Sequence, residues 1–218
     1  MDKLRLVYEQ SGKAIWCSHL DTMRTLQRVM NRAGVPIKYS EGFNPHAQIS
    51  ILMPLSVGAE SVCQLVEIQV REDIDLAGLP RQLNCVMPEG LRVLDCYENG
   101  MKPVNLKWMR ISGRLEYDNI DTHKAAEALT ELFSGEVVVN RRTKRGEGPF
   151  TITEHIREIR FSPAEGQVNV DGVISCVDPV VNPELITASV IQNLPALAPD
   201  GSRFCRRELY TADGNIFR

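Results

Sequence analysis

The chain has no C-x-x-C pair among its six cysteines, which excludes the zinc-ribbon and thioredoxin-type patterns. It also has no C-x-x-x-C-x-x-C triplet, so it lacks the usual thiolate pattern for a radical-SAM cluster. No apolar run reaches about 18 residues and no signal-peptide pattern opens the chain, which points to a cytoplasmic location. In that reducing setting Cys17, Cys63, Cys85, Cys96, Cys176 and Cys205 read as buried free thiols. A surplus of positive charge is missing too. The net charge of −3 and a pI near 5.9 argue against a whole-surface nucleic-acid binder, leaving room for a local basic patch. What is present is a 43% hydrophobic content over 218 residues, enough for one large domain or two small ones.

Periodicity divides the chain into two similar halves. Leu4–Tyr8 reads as a strand. Leu20, Met23, Leu26, Val29, Met30 and Ala33 then recur at helical spacing, and Gly34 and Pro36 end that helix. Pro36–Tyr39, Ile49–Met53 and Leu65–Val70 read as strands. A helix capped by Asp75 runs through Cys85, and Leu91–Tyr97 is a strand. The second half repeats the order. It has a strand at Lys107–Tyr117, a helix capped by Asp121 and ended by Gly135, strands at Glu136–Asn140 and Val168–Cys176, a helix from Pro183 to about Leu194, and a strand at Arg203–Tyr210. The expected class is α+β, with tandem ferredoxin-like (βαββαβ) units and antiparallel sheets. The first domain spans 1–100 and the second 104–218. Asn, Gly and Pro cluster in the linker near Glu98–Asn105, and a basic insert occupies 141–166.

Two stretches of the first half point to a site. Ser18-His19-Leu20-Asp21 has capping-box spacing, with Ser18 and Asp21 serving the free amides of the first turn. His19 beside those donors is placed to meet an anion or a base. Arg24 follows on an exposed side, whereas Arg28 reads as a solvated helix residue. Tyr39-Ser40-Glu41-Gly42-Phe43-Asn44-Pro45-His46 reads as a shaped loop, because glycine and proline impose backbone angles that a core segment rarely needs. Amides near Gly42, with Asn44 and His46, can supply donors to a ligand, while Tyr39 and Phe43 can stack on a planar group. The bland alternatives are a capped helix and a tight connection with Phe43 tucked into the core. His19 and His46 are also the only candidates for catalysis, as general acid and base in metal-independent RNA cleavage. A metal would find only Asp21 as a further ligand, so none is assigned. His123 and His155 read as exposed surface residues. In the second half Arg141, Arg142, Lys144 and Arg145, with Arg206 and Arg207 later, form a candidate phosphate clamp; a solvated charged loop is the default.

These residues carry a resemblance. Ser18-His19-Leu20-Asp21, Arg24, Arg32-Ala33-Gly34, the Tyr39–His46 loop, Pro54-Leu55-x-Val57-Gly58, Leu83-Asn84, Pro88-Glu89-Gly90-Leu91, Thr143-Lys144-Arg145-Gly146 and Arg207-Glu208-Leu209-Tyr210 closely resemble the bacterial radical-SAM-linked protein family, a domain of unknown function. Ala47 departs from the proline common after the loop histidine in that family. Its members typically occur beside, or fused to, a radical-SAM protein with a cobalamin-binding-type domain, often near ribonuclease and ribosomal-protein genes. The resemblance implies an accessory, substrate-presenting protein that binds RNA or a nucleotide-like ligand, with no membrane partner. The iron–sulfur cluster, SAM and cobalamin would sit on the partner enzyme, with no cofactor on this chain. It carries over no catalytic residue. The alternatives are the RNA-processing endonuclease above and a scaffold that binds only protein.

Overall fold

A computed structural model describes residues 3–98, 100–143 and 146–218, without the side chains of 142 and 143. The chain is a mixed α/β protein with mainly antiparallel sheets and four α-helices among the described residues. It divides into two compact units, 1–104 with Arg218, and 105–217.

In the first unit the order is β1 (Lys3–Gln10), α1 (His19–Arg32), β2 (Ile49–Leu52), β3 (Glu60–Gln69), α2 (Leu79–Asn84) and β4 (Leu91–Glu98). All pairings are antiparallel, and the strands lie in the order β4-β1-β3-β2. Alternate residues Leu4, Leu6 and Tyr8 of β1 face a core shared with Leu26, Val29 and Met30 of α1 and Leu79 and Leu83 of α2. This is the period-two strand meeting the 3.6-period helix on one buried layer. Three expectations are corrected here. Leu20 is 63% exposed because it falls outside the stripe of Leu26, Val29 and Met30. Pro36–Tyr39 makes only the isolated bridges Ile37↔Val70 and Tyr39↔Ala47, since Pro36 lacks the donor a ladder needs. Asp75 accepts the Ala77 and Gly78 amides in a turn, and α2 begins only at Leu79.

In the second unit β5 (Leu106–Glu116) leads into α3 (Thr122–Ser134), then β6 (Val138–Thr143), β7 (Gly146–Thr151), β8 (Ile156–Ala164), β9 (Gln167–Ser175), α4 (Glu184–Asn193) and β10 (Gly201–Thr211). The sheet order is β10-β5-β9-β8, while β6 and β7 pair only with each other. The expected strand at Glu136–Asn140 is therefore the first arm of a separate hairpin, and β8 takes its place in the sheet. The described part of the basic insert, Arg141–Thr143 and Gly146–Thr151, lies in the two strands of this hairpin. Asp121 caps α3 by accepting the His123 and Lys124 amides at 3.0 and 3.3 Å. Asp121→Ala is expected to cost about 1 kcal/mol by denaturant unfolding, the usual loss for an N-cap.

The thiols divide. Cys63, Cys176 and Cys205 are buried, Cys96 is half-buried, and Cys17 and Cys85 are exposed, which corrects the expectation that all six are buried. No described helix is long and apolar enough to cross a membrane.

Candidate functional site

The sequence entering α1 builds a fixed helix entrance. After β1, Gly12–Trp16 forms a short 3-10 turn, and Ser18 caps α1 from an extended conformation. Its Oγ accepts the Asp21 amide at 3.2 Å and donates to Asp21 Oδ2 at 2.7 Å. Ser18 and Asp21 are thus engaged in the cap, as their spacing foretold. Arg24 reaches Asp21 at 3.7 Å between two exposed side chains, a contact of little energetic weight. Arg28 is exposed.

His19 is exposed and lines a small recess with Cys17, Thr22, Pro54, Leu55 and the buried Tyr8, Gln10 and Gln64. Its volume is about 10 Å³, room for a single water rather than a substrate. Two buried amides stiffen its walls. Gln10 donates to the Ala14 carbonyl at 3.0 Å. Gln64 donates to the Leu52 and Met53 carbonyls at 3.1 and 2.9 Å, which holds Met53 at a positive φ of 55°. Gly58 donates its amide to Ile15 at 2.8 Å, and the Trp16 ring lies over Gly58. Trp16 (68% exposed), Leu20 and Val57 are exposed apolar groups of the segments that lead into and follow this recess.

The second stretch is a clasped loop. Ser40 donates its amide to the His46 carbonyl at 2.8 Å, and its Oγ accepts the His46 amide at 2.9 Å. The Tyr39 hydroxyl donates to Asn31 Oδ1 at 3.3 Å and ties the base of the loop to α1. Gly42 sits at φ 113°, where a side chain would strain the backbone. Phe43 is fully exposed, so it is not tucked into the core. Asn44 and His46 are exposed as well, and neither lines the His19 recess. Tyr39 is only half-buried, leaving Phe43 as the principal stacking surface of the loop. Among the described residues no cluster of three or more His, Cys, Asp or Glu is arranged to hold a metal ion.

In the second unit the hairpin carries a stack that sequence reasoning missed. The Arg141 guanidinium lies 4.8 Å from the Phe150 ring centre, and Phe150 stacks on His155 at 5.0 Å and 14°. His155 is half-buried by this stack, contrary to its expected exposure. The base of the hairpin is tied to α4, by the Asn140 amide to Gln192 Oε1 at 2.9 Å and by Asn193 to the Val138 carbonyl at 3.2 Å. Lys144, Arg145 and the Arg142 side chain lie outside the described residues. Arg207 is exposed and donates to Ser112 at 2.6 Å, whereas Arg206 is 8% exposed and so is no surface phosphate contact. Trp16 was missed for a different reason: an isolated tryptophan belongs to no periodic pattern, and its place just ahead of a helix cap was the one available signal.

Fold and site together define a two-unit α/β protein whose candidate ligand groups stand on open surface. The chain belongs to the bacterial family described as an uncharacterized protein conserved in bacteria (DUF2344), which matches residues 3–183. No curated protein matches it. A chain of the crystal structure of a Cbf5-Nop10-Gar1 complex is similar at 10% identity and a TM-score of 0.49, over 96% of this chain and 50% of that one. The present chain thus spans about half the length of that relative. A crystal structure of an unknown protein from Galdieria sulphuraria is similar at 9% identity and a TM-score of 0.27, over 97% and 98% of the two chains.

Proposed function

We propose that this chain is a non-catalytic accessory protein that presents RNA or a nucleotide-like ligand to a cobalamin-type radical-SAM enzyme. The observation that carries the docking role is Phe43, a large apolar ring held in water on a loop clasped at both ends. Ordering an aromatic group there costs conformational entropy and buries nothing, so the gain lies in what covers it. The His19 recess supports presentation rather than turnover, because its size suits a water and its walls are tied off by buried amides. The Arg141–Phe150–His155 stack supplies a cation and aromatic surface suited to nucleotides. The radical-SAM partner rests on the family resemblance of the Ser18–Asp21 and Tyr39–His46 motifs. In keeping with it, each unit is a ferredoxin-like module. The supporting features are the β4-β1-β3-β2 order of the first and the β10-β5-β9-β8 order of the second, with β6–β7 inserted.

Co-purification with a cobalamin-type radical-SAM enzyme, and filter binding of RNA at two salt concentrations, test this function. The expected result is a complex with the enzyme and RNA affinity that falls as salt rises. Failure to bind either would overturn it.

A further inference from the structure

The sheet of the second unit has one face under helices and one face open. Phe161 packs on Phe133 of α3 with ring centres 5.2 Å apart, and Ser202 bonds to Glu184 of α4. The row Phe161–Val170–Gly113–Phe204 therefore faces the helices. Side chains one residue along point the other way. Two rows of that open face are Arg160–Asp171–Ser112–Cys205 and Ser162–Asn169–Arg114–Arg203. Arg110 is two residues from Ser112 on the same face. Arg207, in the bulge of β10, joins it through its 2.6 Å bond to Ser112.

Five arginines from β5, β10 and the edge strand β8 thus share one surface, in a chain whose net charge is −3. Asp171 neutralises Arg110 at 2.6 Å and Glu116 neutralises Arg114 at 2.8 Å. Arg160, Arg203 and Arg207 are exposed and make no ion pair among the described residues. The remaining acids, Glu158 and Glu208, stand at the two ends of the row Glu158–Val173–Arg110–Glu208, on the side of the surface away from Arg203. Arg203 stands directly opposite Arg114 across the ladder. All the cations are arginine, whose planar fork matches phosphate oxygens. Asn169 and Ser162 offer hydrogen bonds between them, and Trp108 and Tyr210, opposite each other, offer half-buried rings at one end.

We propose that this open face is a binding surface for single-stranded RNA, with Arg160, Arg203 and Arg207 on phosphates and Asn169 and Ser162 beside the bases. The proposal rests on the RNA-binding function given above and assigns it to a surface distinct from the His19 and Phe43 groups. A flat sheet with alternating cations and amides suits splayed nucleotides, where a duplex offers a curved and already stacked ladder.

The test is fluorescence anisotropy with a labelled 20-nucleotide single-stranded RNA and the full chain. The triple variant R160E/R203E/R207E is expected to bind at least tenfold more weakly. Its plot of log affinity against log salt is expected to be shallower by about 2, from about 0.7 per phosphate contact over three contacts. A circular dichroism melt checks folding of the variant. Should it unfold, phenylglyoxal labelling of the wild type replaces it, with RNA expected to protect Arg160 and Arg203. Wild-type binding that survives the triple variant unchanged, or RNA that leaves both arginines fully reactive, would overturn this surface and leave the accessory function standing. Absence of any RNA binding by the wild type would overturn both. Polyglutamate that competes as strongly as single-stranded RNA would overturn the nucleic-acid assignment of this face.

Discussion

Glu67→Ala is expected to cost the folded state about 3–5 kcal/mol, the size of loss seen when a buried ion pair loses one partner. Arg5 and Glu67 face each other across β1 and β3, with the guanidinium 2.6 Å from the carboxylate and the Arg5 side chain 2% exposed. Lys3 reaches the other carboxylate oxygen at 2.6 Å. The Met101 carbonyl accepts from Arg5 at 2.6 Å, and a side chain at Gly100 would collide with the guanidinium. The segment after β4 therefore closes over the pair, and removing Glu67 leaves the arginine charge buried beneath it. Against a total stability of about 5–15 kcal/mol, the loss would show clearly in urea unfolding. Replacing Arg5 and Glu67 together by Met and Leu is expected to cost less than Glu67→Ala alone.

The same pair sets an acid dependence. Burial pushes the Glu67 carboxyl up, but the bonds from Arg5 and Lys3 outweigh it and hold the group below its ordinary 4.5. A carboxyl depressed in the folded state binds protons more readily when unfolded. Its stabilisation is present above the unfolded value and is lost as pH falls through the folded one. Wild type is expected to lose stability on acidification below about pH 4.5, with a smaller acid loss in Glu67→Gln. Equal acid slopes for the two proteins would remove Glu67 from this role.

Phe43→Ala is expected to leave the melting temperature within error and to weaken binding to the proposed radical-SAM enzyme by at least tenfold. The ring is fully exposed, so truncation removes no packing from the core. The loop keeps its shape, because the Ser40–His46 bonds and the Gly42 backbone do not involve the side chain. Exposed aromatic anchors of this kind carry a large share of interface energy when a partner covers them. His46→Ala keeps the same backbone bonds and serves as the milder control. Partner affinity in Phe43→Ala equal to that of wild type would place the docking surface elsewhere.

The elements and the site differed in how well the sequence displayed them. β1 and α1 were legible because Leu4, Leu6 and Tyr8 alternate while Leu26, Val29 and Met30 follow a helical stripe. The Ser18 and Asp121 caps were legible because capping depends on side chains close in sequence. The separation of β6 from the larger sheet was not. Val138 to Thr143 reads equally well as a sheet strand or a hairpin arm, and the choice depends on Gln192 and Asn193 of α4, far along the chain. The Arg5–Glu67 pair was equally hidden, since only the register of β1 against β3 brings the two side chains together. The site followed the same rule. Ser18, Asp21 and a shaped loop over Tyr39–His46 are local and were anticipated, whereas the walls of the His19 recess come from four separated segments and were not.

Trp16 offers the most direct test of the central claim, that the exposed groups of the first unit are a docking and presentation surface. It is 68% exposed and directly precedes Cys17, which lines the His19 recess, and Trp108 is the other tryptophan of the chain. In the W108F variant, emission therefore reports on that surface alone. Titrating in the proposed radical-SAM enzyme is expected to shift the emission of Trp16 to shorter wavelength and to shield it from iodide quenching. Saturating partner that leaves both the emission maximum and the quenching unchanged would contradict the account.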